Sequence, residues 1–142
     1  MLAPDKPVLE QHVKDWLRAQ ADALYLTAVT IAEIEQGICK LRRTGGIERA
    51  MRLSEWLDTV LDNLGDRILA FDGRVGRVAG ALSDRAQAAG RHPGFADVAI
   101  AATAMSHDLM LLTRNGKHFA PLGVTFADPF EALPPENVGW KP

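Results

Sequence analysis

Short strand-like apolar runs alternating with helix-periodic segments constrain this chain more than any other feature. LYLTA (24–28), RILAF (67–71), LMLLT (109–113) and VTF (124–126) read as strands, with the RNG of 114–116 as a turn. Ahead of them, Val8 to Gln20 carries Val13, Trp16 and Leu17 at amphipathic spacing. Between the first two strands, Ile31, Ile34, Ile38 and Leu41 repeat at helical spacing from about Thr30, and Gly45-Gly46 separates that helix from a second over Ile47 to Leu64. Asp72 is placed to cap a helix running to about Gly90, and HPG (92–94) breaks the chain before FADVAIAATA (95–104), which opens another helix. Strands alternating with helices predict an α/β fold with a mostly parallel central sheet covered on both faces. In such sheets ligands gather beyond the carboxyl ends of the strands.

The 142 residues suit one domain, with residues 130–142 as a Pro-rich surface tail, because no repeat or long linker divides the chain. Hydrophobic residues at 47% and charged residues at 24% predict a packed core. Val98 to Met105, the longest apolar or small stretch, is far short of the ~20 residues that span a bilayer. With MLAPDKPVLE lacking a signal-peptide pattern, a cytoplasmic protein that does not engage membranes is expected. The single cysteine, Cys39, excludes an internal disulfide and is compatible with a reducing compartment.

A net charge of −2 does not by itself advertise nucleic-acid binding, but Lys40, Arg42, Arg43, Arg49 and Arg52 crowd around TGG. That cluster reads as a solvated helix end or as a phosphate-contacting patch. The helix over Ile47 to Leu64 spreads its apolar residues across an arc of roughly 220°, taking ~100° per residue. A surface helix needs a narrower stripe for its own core. Part of this face is therefore expected to meet another surface, such as that of a second subunit in a homodimer.

Two carboxylates stand out. Asp97 sits at the start of the apolar FADVAIAATA, where an acid interacts favourably with the helix dipole, and Thr30-x-x-Glu33 matches a capping box. Position alone explains each structurally. Yet both border small residues, Gly37 beyond Glu33 and Ala101 and Ala104 beyond Asp97, which leave room for close approach. Two acids brought together over a sheet edge repel unless a cation joins them. Mg²⁺ takes one or two carboxylates, keeps several waters and accepts a phosphate.

The ordered set TAVTIAEIEQGI (27–38), ILAFD (68–72), FADVAIAATA (95–104) and LLTRNGKHF (111–119) resembles PIN-domain endoribonucleases, specifically the VapC or FitB-like toxins of type II toxin–antitoxin systems. Each motif is weak singly, and the signal lies in their order and spacing from about Ala3 to Pro129. The resemblance implies a PIN-like three-layer sandwich and an enzyme dependent on Mg²⁺ or Mn²⁺ that hydrolyses RNA phosphodiesters and is silenced by a cognate antitoxin. Asp97 matches the family's principal metal-binding acid and Glu33 its helix acid. Asn115 falls where many members have Asp or Asn, Thr113 matches a threonine just before it, and Arg114 is expected to contact RNA with part of the Arg42, Arg43 and Arg49 patch.

The sequence also departs from the family. Members open with a strand ending in a motif like LDTNV, whose Asp is a metal ligand; this chain begins at MLAPDKP, similar to the stretch after it. Asp5, flanked by Pro4 and Pro7, is no substitute. The first strand and its ligand are thus expected to be missing, and metal binding by the chain as written to be poor. His118 stands where relatives often have Asp; it reads as a surface or packing residue. Phe95 and Phe119 read as core, and no aromatic platform for bases is apparent. Two other readings are a non-catalytic remnant that retains dimer and antitoxin surfaces, and an unrelated α/β binding domain whose acids are only caps.

Overall fold

The computed structural model describes residues 11–129 and 131. The MLAPDKP opening, Asp5 and nearly all of the expected tail lie outside the described residues. In chain order the elements are α1 (Gln11–Ala19), β1 (Leu26–Thr27), α2 (Ala28–Arg43), α3 (Ile47–Leu64), β2 (Ile68–Leu69), α4 (Gly73–Ala88), α5 (Phe95–Ser106), β3 (Leu111–Leu112), α6 (Gly116–Phe119) and β4 (Phe126–Ala127). They form two compact units: Tyr25–Ala70, and the described residues on either side of it.

In the unit Tyr25–Ala70, β1 pairs in parallel with β2, Leu26 opposite Ile68 and Thr27 opposite Leu69. Helices α2 and α3 make the connection and pack on each other. Ile38, Ala50 and Leu57 are buried between them, with Ile34, Leu41, Leu53 and Leu61 packed around. Gly45, at φ +98°, takes the turn between the helices in a conformation that a side chain disfavours. The start of α2 differs from the expectation. Thr27, not Thr30, is the N-cap, its hydroxyl accepting from the Thr30 amide at 2.9 Å. Helix α2 therefore begins at Ala28, and Glu33 sits in its second turn, beyond the reach of a capping box.

Only part of the α3 apolar arc is covered within the described chain: Ile47, Met51 and Trp56 remain exposed. The basic cluster divides between two helices. Lys40, Arg42 and Arg43 occupy the last turn of α2, where cations suit the dipole, and on α3 Arg52 lies 3.7 Å from Glu48.

The second unit is built on α4 and α5. Asp72 caps α4 as expected, its Oδ1 accepting from the Val75 amide at 3.0 Å. Val75, Ala79, Leu82 and Ala86 form a single buried stripe along α4, which packs against α5. By contrast, every residue of α5 from Val98 to Ala104 is buried. Such a helix needs neighbours all round, which its alanines allow to approach closely. Strands β3 and β4 pair in parallel, Leu111 opposite Phe126 and Leu112 opposite Ala127. The ladder continues one residue further, with the Thr113 amide donating to Ala127 O at 3.0 Å. Parallel pairing was the expectation, and both ladders have it. The last strand begins two residues later than VTF predicts and ends one residue later, and Val124 is buried ahead of it.

Candidate functional site

The site is assembled where the end of β3 turns into α6, beside the start of α5. Thr113 is buried, and its hydroxyl accepts from the Asn115 backbone amide at 3.0 Å. This short side-chain-to-backbone bond shapes the turn directly after the strand. Asn115 then serves as the N-cap residue of α6, and its carbonyl accepts from the His118 amide at 2.9 Å. Phe119, 5% exposed, anchors α6 in the core. Gly116 has its own reason: a Cβ there would lie 2.5 Å from Cε2 of Phe126, so any side chain would displace that ring.

Asp97 occupies the first turn of α5. Gly94 is the N-cap, and no side chain caps the helix. The carboxylate instead faces His118, with Nδ1 3.6 Å from Oδ2, and is 30% exposed where the imidazole is 50% exposed. The structure thus brings Asp97 and His118 together from two separate motifs, with Thr113 and Asn115 in the turn that leads to His118. Sequence reasoning had set His118 aside as a surface or packing residue. The usable signal was its place where relatives often have an acid; an acid there would face Asp97 just as the imidazole does.

Arg114 points to a different feature. With Asn115, Lys117, Phe126, Asp128 and Glu131 it lines an open cleft of about 750 Å³, which neither Asp97 nor His118 lines. The mixed charges of this cleft do not make it a simple phosphate groove. Glu33 belongs to the other unit, half-buried on α2. Its capping explanation is removed by the observed helix start.

Among the described residues no group of three or more His, Cys, Asp and Glu could hold a metal ion. A closed structural site of the zinc type is therefore not what these side chains form. Asp97 does suit a hard divalent ion of the kind that takes one or two carboxylates and completes its shell with water and phosphate. It is an oxygen donor, partly exposed, standing free of the helix cap.

Phe95 overturns a further expectation. It is 70% exposed, while Phe119 is buried as expected. As the first residue of α5, Phe95 precedes the buried body of the helix, and its ring forms a T-shaped pair with Phe71, centroids 5.8 Å apart at 68°. No helix among the described residues is long and apolar enough to cross a membrane.

Comparison with known proteins gives this geometry a context. The PIN domain profile matches residues 2–123. The chain is 34% identical over 129 residues to the VapC ribonuclease Y4jK of Sinorhizobium fredii, covering 90% of this chain and 87% of that one. It is 29% identical over 128 residues to Toxin FitB of Neisseria gonorrhoeae, covering 89% and 91% respectively. The crystal structure of FitAcB from the same organism is similar with a TM-score of 0.77 at 30% identity, over 89% of this chain and 91% of that one.

Proposed function

Since the chain belongs to the PIN-domain family, we propose that it is a metal-dependent endoribonuclease, the toxin of a toxin–antitoxin pair, acting in the cytoplasm. The observation that carries this reading is the pairing of Asp97, a first-turn carboxylate of α5, with His118 of the LLTRNGKHF motif. Relatives named as a ribonuclease and as a toxin support it. One profile running through both compact units supports a single PIN-like domain.

In this reading Asp97 is the principal ligand of Mg²⁺ or Mn²⁺, and Glu33, in the unit Tyr25–Ala70, is a candidate acid by its match to the family's helix acid. An ion bound there supplies a more acidic water and offsets charge on the phosphoryl oxygens. The protein's own contributions are positional. The Thr113 hydroxyl holds the turn that presents Asn115 toward the substrate. Arg114 binds a phosphate of the RNA, a contact that positions the strand without reading its bases. The buried body of α5 fixes Asp97 so that little reorganisation precedes reaction.

The exposed Ile47, Met51 and Trp56 of α3 favour a protein partner, which we assign to the antitoxin or a second copy of the chain. The decisive experiment is RNA cleavage by the purified protein with Mg²⁺, with Mn²⁺ and with EDTA, alongside the Asp97→Asn variant. Cleavage that needs the ion and Asp97 supports the enzyme. A protein that copurifies with a small partner but cleaves no RNA under any of these conditions supports the non-catalytic binding reading instead.

A further inference from the structure

Two aromatic rings meet at the surface of the unit built on α4 and α5. Phe71 directly precedes the N-cap of α4 and Phe95 directly follows the N-cap of α5, so their contact joins the heads of these two packed helices. Phe95 is 70% exposed and Phe71 37%. Resting on the reading of the Asp97 site as a ribonuclease centre, we propose that Phe95, backed by Phe71, is a platform on which an unpaired base of the RNA stacks, close along the strand to the phosphate that is cut.

The ordinary structural roles do not account for these rings. An apolar residue just before an N-cap commonly packs on the side chain at the fourth helical position, a hydrophobic staple. In α4 that position is Gly76, which has no side chain to offer; Cε1 of Phe71 lies 4.0 Å from where a Cβ would stand. Phe95 gives little of its area to the fold. What Phe71 does provide is an edge-to-face contact, a geometry that orients the partner ring while most of Phe95 stays open.

Their surroundings fit a single-stranded polyanion. Asp97 follows Phe95 by two positions, which on a helix is a turn of about 200° and a rise of about 3 Å. The two side chains therefore leave the head of α5 on opposite sides, so a strand crossing it sets backbone at the carboxylate site and a base on the ring. In the chain, arginines flank both rings: Arg74 and Arg77 in the first turns of α4, and Arg91 ahead of Gly94. All three are exposed, and none pairs with an acid among the described residues. The acid next to Phe71, Asp72, is engaged with the Val75 amide. Cations that follow phosphates beside an open aromatic face are what proteins use to hold single strands without reading their sequence.

Binding of two probes by the full chain, held in EDTA so that nothing is cut, tests this: an oligoadenylate of about twelve nucleotides, and an abasic ribose-phosphate chain of the same length and charge. The wild type is expected to prefer the base-bearing strand by about five- to 150-fold, the range for one base stacked on one aromatic. Phe95→Ala and Phe95→Leu are expected to lose that preference and Phe95→Trp to keep it, with the salt dependence of binding, which counts phosphate contacts, unchanged in all three. A wild type that cleaves RNA with Mg²⁺ or Mn²⁺ but shows no preference for bases, or a Phe95→Ala variant that retains the preference, overturns the platform and leaves the nuclease standing. Loss of a copurifying protein partner from Phe95→Ala with the base preference intact makes the rings a protein contact and likewise overturns it. A wild type that binds neither probe and cleaves no RNA with either ion overturns both readings.

Discussion

The starts of α4 and α5 present the same element, an acid near a helix N-terminus, put to two different uses. At α4, Asp72 is the N-cap and accepts from the Val75 amide. At α5 the cap position belongs to Gly94, and Asp97 stands three residues further in, turned to His118. The first acid closes its own helix; the second, inside the first turn, faces a residue from another motif. The bodies of the helices differ in the same sense. Helix α4 buries one stripe, whereas α5 is enclosed from Val98 to Ala104, a rigid mount for Asp97.

Substitutions at the two starts sharpen this contrast. Asp97→Asn has the largest expected effect: RNA cleavage falls by roughly a thousandfold, the several kcal/mol that a catalytic ion supplies, while stability in urea changes by under about 1 kcal/mol. A variant that cleaves at the wild-type rate would reduce Asp97 to a dipole partner. Next, Ala101→Leu, inside the enclosed body of α5, is expected to lower unfolding stability by about 1–3 kcal/mol through overpacking, whereas Ala81→Leu on the exposed side of α4 should stay within about 0.5 kcal/mol. Equal costs at the two positions would erase the distinction between the helix bodies.

Asp72→Ala is expected to cost about 1 kcal/mol in the same denaturation measurement and to leave cleavage intact, the reverse of the Asp97 pattern. Loss of cleavage in that variant, at matched folded fraction, would break the comparison. The smallest effect belongs to Phe95→Ala, with a melting shift corresponding to no more than about 0.5 kcal/mol because the ring is mostly solvated. Phe119→Ala serves as its buried counterpart, where a loss of about 3–5 kcal/mol is expected.

Much of this was legible along the chain. The period of Ile31, Ile34, Ile38 and Leu41 announces α2, Gly45-Gly46 its end, and Asp72 the start of α4. Each depends on neighbours within a turn or two. The cap of α2 was misassigned because Thr27 and Thr30 are both competent caps; pairing of β1 with β2 holds Leu26–Thr27 extended, which leaves Thr27 at the boundary. Phe95 and Phe119 are chemically identical in sequence, and only the packing of α6 inward and the position of Phe95 ahead of the buried body of α5 separate them.

By itself the sequence determined the kinds of element, their order, and the placement of an acid at the head of an apolar helix, since periodicity, capping and turn chemistry are set by short-range interactions. Tertiary structure alone decided that His118 faces Asp97. That meeting requires the chain to leave α5, run through β3, turn on the Thr113 hydroxyl and fold α6 back by burying Phe119. No local rule encodes a distance accumulated over so many backbone torsions; it is set by which apolar surfaces are buried together.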